Sequence, residues 1–273
     1  MTFFEKLDTS VKKNNSLLCV GLDTDLKRIP KHLQTAKNPV AEFNKTIIDA
    51  TADLVCAFKP NSAYYEAMGE SGMRHLQKTI EYVHTTYPDI PVIVDAKRAD
   101  IGSTSEQYAE WVFNYLKADA ITVNPYLGVD AIEAFLKHQD KGIIILCRTS
   151  NPGAADFQDL LVDGKPLYIK VAEKIAKWDN KYKNCLIVVG ATWPAQMKEI
   201  REIVPDMNFL VPGIGSQGGD IEGTMKAGLR SDKAGLIINA GRSIIYAGSD
   251  KDFSDKAREE TLRLRNQINM FRS

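Results

Sequence analysis

PVIVDAKRAD, residues 91–100, carries an apolar, β-branched run straight into Asp95, Lys97 and Asp100. A run apolar at consecutive positions reads as a parallel strand covered on both faces, because a half-exposed strand alternates apolar with polar residues. Charge at the mouth of such a strand is costly unless paired, so the cluster is either a mutually neutralising network or a working site. Side chains alternate along a strand, which predicts that Asp95 and Lys97 project to one face, with Asp100 arriving after the chain turns. Flanking carboxylates favour the charged form of Lys97 and make it a fixed proton donor.

Runs of the same kind recur along the chain: SLLCVGLD, DLVCAFKP, DAITVN, GIIILCRTS, NCLIVVGAT, MNFLVPGIG and AGLIINAGRS. Between them lie stretches with a three-to-four residue apolar step, such as Val40, Phe43, Ile47 and Ala50, or Ala257, Leu264, Ile268 and Phe271. That step is the signature of an amphipathic helix, and Pro39 and Pro194 sit where helix starts are expected. Strand and helix alternate without a linker or low-complexity break. The predicted fold is α/β, a single (β/α)8 TIM barrel over residues 1–273, with a doubly wound open sheet as the alternative. The longest connection runs from Arg148 to Asn184, and its first half, TSNPGAADFQDLLVDGKP, reads as a loop before a helix. It is either a cover over a pocket or a surface insertion.

Lys plus Arg and Asp plus Glu both total 35, which leaves no electrostatic footprint for nucleic acid or an anionic membrane. Cys19, Cys56, Cys147 and Cys185 each lie in a separate apolar run, without the short spacings of metal or redox pairs, and read as reduced core thiols. His32, His75, His84 and His138 fall in helical or loop stretches and receive no role. The N-terminus lacks a signal-peptide core and the apolar runs are too short to span a bilayer, so a cytoplasmic location is expected.

In a barrel the chemistry sits at the C-terminal ends of the strands. Read at those ends, the sequence supplies Asp23, Lys59, Asp95 with Lys97, Asn124, Ser150, Pro212 and Arg242. VPGIGSQGGD, residues 211–220, contains Gly-x-Gly-x-x-Gly, but a dinucleotide fingerprint opens its domain and has an acid ending the next strand; here Asp232 precedes the eighth run. What remains is an anion site of small residues before a helix, where Gln217 from one loop and Arg242 from the next hold a phosphate. Asp23 is placed to accept sugar hydroxyls and Ser150 to address a polar ring edge. The substrate class is a phosphorylated sugar or nucleotide.

DAKRADI resembles the Asp-x-Lys-x-x-Asp-Ile signature of the orotidine 5′-monophosphate decarboxylase family. GLDTD at 21–25, FKP at 58–60, TSNPGA at 149–154, PGIGSQGGD at 212–220 and GRSI at 241–244 follow in the family's order. NPYLG at 124–128 replaces the His-containing segment of shorter members, so the chain looks like the longer subgroup, and Asn124 serves either turn packing or ligand contact. The resemblance implies decarboxylation of orotidine 5′-monophosphate (OMP) to UMP with no metal and no organic cofactor. It implies that Asp23 and Lys59 hold the ribose region, with Lys59 also in the charged network. Asp95 lies beside the departing carboxylate, Lys97 protonates C6, Ser150 and Pro212 meet the substrate, and Gln217 and Arg242 hold phosphate. It further implies a homodimer in which Asp100, Ile101 and Thr104 reach the partner's site. Three rivals remain. A magnesium-dependent sugar-phosphate relative would need an acid where Lys59 stands. A Schiff-base aldolase would need a neutral lysine. A silent nucleotide sensor would bind without turnover.

Overall fold

The computed structural model describes residues 1–215 and 218–272. All eight apolar runs form parallel strands: β1 Leu18–Gly21, β2 Ala57–Lys59, β3 Ile93–Arg98, β4 Ala120–Val123, β5 Gly142–Arg148, β6 Cys185–Val189, β7 Phe209–Val211 and β8 Leu236–Ala240. β1 pairs with β2 on one side and β8 on the other, and pairing continues through β7, β6, β5 and β4 to β3. Among the described residues two isolated bridges, Phe58 to Val92 and Asn61 to Asp95, join the β2 and β3 segments, so the barrel is nearly closed at this seam. Every residue of β1, β2, β4, β6 and β7 is buried, the condition under which parallel strands carry unbroken apolar sequence.

Helices pack around the ring at the positions their periodicity predicts. Pro39 opens the helix Pro39–Thr51, which buries Val40, Phe43 and Ile47, while Ala50 is half-buried. Pro194 opens Pro194–Ile203. The C-terminal helix Phe253–Asn269 buries Ala257, Leu264 and Ile268, and Phe253 stacks on Phe43 at 5.2 Å between ring centres. Inside the barrel a second core joins Cys19, Ala57, Ile93, Ala120, Ile144, Leu186 and Ile237 to Phe3 of the helix Phe3–Lys13, which plugs the N-terminal end. Gly142 admits that plug: a Cβ there would lie 2.6 Å from the Phe3 ring. Lys6 fastens the same helix to buried Asp119 at 2.7 Å, and His84, given no role by sequence, pairs with the other oxygen of Asp119 at 2.9 Å. All four cysteines are buried and free.

The connection after β5 has more structure than a loop. It holds a 3₁₀ turn Pro152–Ala154, a short helix Ala155–Gln158 and a small hairpin of Leu161–Val162 with Lys165–Pro166, before the helix Leu167–Tyr182 begins.

Candidate active site

The seam between β2 and β3 is where charge collects. Asp95 accepts Lys59 Nζ at 3.0 Å and Asn61 Nδ2 at 3.3 Å on Oδ2, and Lys97 Nζ at 2.6 Å and Thr122 Oγ1 at 2.8 Å on Oδ1. An ionised carboxylate offers about four lone-pair positions, and here each oxygen takes two donors. Burial alone would push the Asp95 carboxyl up, but the charges of Lys59 and Lys97 and the bonds from Lys97 and Thr122 outweigh it and hold the group far below the usual carboxylate range. Burial likewise opposes charge on Lys59, yet Asp95 and Asp23 overcome it and leave this lysine more basic than usual. The two ammoniums differ in access. The Lys59 side chain is 4% exposed, whereas that of Lys97 is 48% exposed and reaches open space.

The route by which Asp95 and Lys97 meet differs from simple alternation. Val94 pairs with Ile121 and Arg98 with Val123, so β3 gains residues relative to β4 between these points. Lys97 takes a left-handed backbone at φ +49° in that bulge. Beyond the bulge Arg98 still pairs with Val123, and the chain then leaves the strand and reaches Asp100, whose carboxylate accepts the Ile101 N–H at 2.8 Å. Among the described residues, Lys97 is therefore paired with Asp95 and not with a second acid.

A cavity of about 480 Å³ opens over this network at the C-terminal ends of the strands. It brings together Asp23, Lys59, Asp95, Lys97, Ser150, Pro212 and Arg242, above an apolar floor of Leu146, Val188 and Leu210. Gly190 lets β6 pass close to Ser150, since a Cβ there would fall 2.6 Å from the Ser150 Cα. The loops after β7 and β8 also touch: Gly215 sits at φ +83°, and a Cβ on it would lie 2.5 Å from Ser243 Oγ. Arg242 lies on the rim they form, while Gln217 is outside the described residues.

Asp100, Ile101 and Thr104 do not line this cavity; Ile101 is 62% exposed and Thr104 is exposed on the helix Gly102–Ala109. Asn124 is not part of it either. Its side chain accepts the Tyr126 N–H at 3.1 Å, capping the turn Pro125–Leu127 beside a neighbouring groove.

Sequence reasoning missed several residues that the fold brings in. Asn61 caps the helix Ser62–Glu66 and also touches Asp95. Asn239, a lone amide in the apolar β8, faces the cavity with Oδ1 buried and unpartnered, as is Asp23 Oδ1. Two buried acceptors without donors suit a ligand that brings hydroxyls. Gln158 returns from the insertion to line the cavity, accepting the Thr149 N–H and donating to Thr149 Oγ1, both at 2.9 Å. Its base is anchored by fully buried Arg148, which pairs with Asp159 at 3.1 Å and lies 4.2 Å over the Trp193 ring. The insertion is thus a wall of the cavity at its base, with an exposed hairpin beyond. Among the described residues no cluster of three or more His, Cys, Asp or Glu has the arrangement of a metal site, and no helix is long and apolar enough to cross a membrane.

Eight parallel strands with a charged cavity at their C-terminal ends define a (β/α)8-barrel protein whose site is built on a lysine–aspartate–lysine network. Comparison with known proteins narrows the class. Residues 16–256 match the sequence model of the Orotidine 5′-phosphate decarboxylase / HUMPS family, and the chain belongs to that family. It is 54% identical over 275 residues to the orotidine 5′-phosphate decarboxylase of Cellvibrio japonicus (strain Ueda107), covering 100% of both chains. Leishmania donovani OMP decarboxylase superposes with a TM-score of 0.86 at 36% identity, covering 100% of this chain and 99% of that one. The UMP synthase of Leishmania donovani gives a TM-score of 0.88 at 38% identity, with this chain spanning 57% of that longer protein.

Proposed function

We propose that this chain decarboxylates orotidine 5′-monophosphate to UMP and CO2 in pyrimidine nucleotide biosynthesis, acting in the cytoplasm as one barrel domain without metal or cofactor. The observation that carries the reading is Asp95 holding two ammoniums at the cavity, one nearly buried and one half-exposed. Relatives named for this reaction over the full chain support it.

In this reading the phosphate docks on Arg242 and Gln217, ribose hydroxyls satisfy Asp23 and Asn239, and Ser150 meets the pyrimidine beside Pro212. The C6–carboxylate bond then breaks heterolytically. Neutral CO2 leaves and the electron pair stays on C6. The fixed ammonium of Lys97 stabilises that charge as it develops and delivers a proton to C6, becoming a neutral amine that water reprotonates. Asp95 holds the ammonium of Lys97 in place, and its negative charge stands beside the departing carboxylate. Lys59 balances the charge of Asp95 and, with Asp23, holds the ribose region, and an ammonium in that position opposes binding of a divalent cation.

The test is the ultraviolet absorbance of OMP mixed with the purified protein in EDTA. Loss of the substrate chromophore with UMP formation is the expected result. No turnover by folded protein would overturn the reading, and turnover that requires added magnesium would overturn its metal-free form. Within the same assay, Arg242→Ala and Gln217→Ala are each expected to lower kcat/KM by roughly ten- to a hundredfold, the worth of a charge-assisted hydrogen bond. An unchanged kcat/KM in both would remove the phosphate assignment.

The reading extends to a homodimer in which Asp100, Ile101 and Thr104 complete the partner's site. Ile101, Tyr126 and Leu127, large apolar residues exposed in the segments that follow the adjacent strands β3 and β4, support it, as apolar surface left in water marks a contact surface. Mixing Lys97→Ala with Asp100→Asn after dissociation and reassociation is expected to regain activity, because a mixed pair holds one site with both native residues. No regain from subunits shown to exchange would remove the shared site.

A further inference from the structure

Thr122 belongs to none of the roles above, yet it is the group that connects the backbone of Lys97 to the carboxylate of Asp95. It lies on β4, 1% exposed. Its hydroxyl oxygen accepts the Lys97 backbone N–H at 3.0 Å, and its single hydroxyl proton is donated to Asp95 Oδ1 at 2.8 Å. That same oxygen holds Lys97 Nζ at 2.6 Å. The three groups close a ring: backbone amide of Lys97 to Thr122, Thr122 to Asp95, Asp95 to the ammonium of Lys97.

The ring answers a structural need. At φ +49°, Lys97 occupies a backbone region that costs an L-residue roughly 1–2 kcal/mol. The bulge between Val94 and Arg98 also takes its N–H out of the regular ladder to β4. A buried N–H without an acceptor would cost more again, so something other than the ladder must receive it. Thr122 does so from the strand the bulge has left.

We infer that Thr122 is a positioning residue for the reaction proposed above: its hydroxyl fixes the bulged backbone of Lys97 and the adjacent oxygen of Asp95 together, setting where the ammonium stands. The inference rests on the decarboxylase reading for its kinetic consequence, but the geometry it asserts exists in the free protein. An orientation error of this kind affects the chemical step more than binding, because the groups that would hold phosphate and ribose are elsewhere in the cavity.

The experiment compares wild type, Thr122→Val and Thr122→Ser by OMP kinetics and by amide hydrogen exchange of Lys97 followed by NMR in free protein. Valine keeps the shape and removes both bonds; serine keeps the hydroxyl and loses only the methyl. Thr122→Val is expected to lower kcat by roughly ten- to a hundredfold with KM within about threefold, and to speed exchange of the Lys97 amide. Thr122→Ser is expected to keep kcat and amide protection near wild type. A valine variant with wild-type kcat and protection would overturn the inference. So would a folded serine variant whose kcat falls tenfold or more or whose Lys97 amide loses protection, and this second outcome is decisive even if the valine variant does not fold. If wild type turns over no OMP but Lys97 protection is lost in valine and kept in serine, the decarboxylase reading fails while the positioning of Lys97 by Thr122 is supported.

Discussion

Replacing Lys97 by alanine is expected to lower kcat for OMP by about 10⁴-fold or more, the upper end of what a positioned proton donor contributes, with developing charge at C6 left unstabilised as well. The neighbouring ammonium is not expected to take over, because the Lys59 side chain is 4% exposed and held on the other oxygen of Asp95 at 3.0 Å, while that of Lys97 is 48% exposed in the cavity. The fold should survive. Asp95 retains Lys59, Asn61 and Thr122 as donors in this variant, so its charge stays paired and the melting temperature is expected to remain within a few degrees of wild type. Absorbance kinetics at saturating substrate, with a thermal melt of the same samples, measure both. A fall of less than tenfold in a folded variant would remove Lys97 as the donor to C6.

Asp95→Asn has the opposite profile, striking stability together with turnover. The substitution keeps the shape but leaves Lys59, 3% exposed, with no counter-charge at hydrogen-bond distance and facing a second ammonium. Stranding a buried charge costs about 3–5 kcal/mol, which for a barrel of this size corresponds to a melting temperature lower by about 10 °C. The pH dependence follows from direction. The folded-state Asp95 carboxyl lies far below its unfolded value, so its stabilisation is complete above an unfolded pKa of about 3.9 and is lost as pH falls towards the folded value. The stability gap between wild type and Asp95→Asn is therefore expected to be constant between about pH 5 and 8 and to narrow below about pH 4. Urea denaturation across that range tests it. Equal midpoints at neutral pH would show that the network costs as much to bury as it returns.

Much of this site was legible before any coordinates, for a reason visible in DAKRADI. A strand covered on both faces excludes charge from its length, so Lys59, Asp95 and Lys97 at the ends of apolar runs stand out as exceptions that must be paid for by function. Thr122 carries no such signal. Threonine is an ordinary strand former, and nothing in DAITVN indicates that its hydroxyl faces a carboxylate on the preceding strand. Asn61 caps the helix Ser62–Glu66, and only the seam between β2 and β3 reveals its second contact. Gln158 lies in a stretch that reads as loop, and its approach to Thr149 depends on how the insertion folds back.

The sequence by itself determined the eight strands, their parallel arrangement and the charged residues at their mouths, because burial on both faces and the cost of charge act locally on each run. The tertiary structure alone decided which donors saturate Asp95, that Lys97 reaches it through a left-handed bulge, and that Lys59 is nearly buried while Lys97 is half-exposed. Those features depend on register between strands far apart in the chain, and one residue of slip changes every partner while leaving the pattern of apolar runs the same.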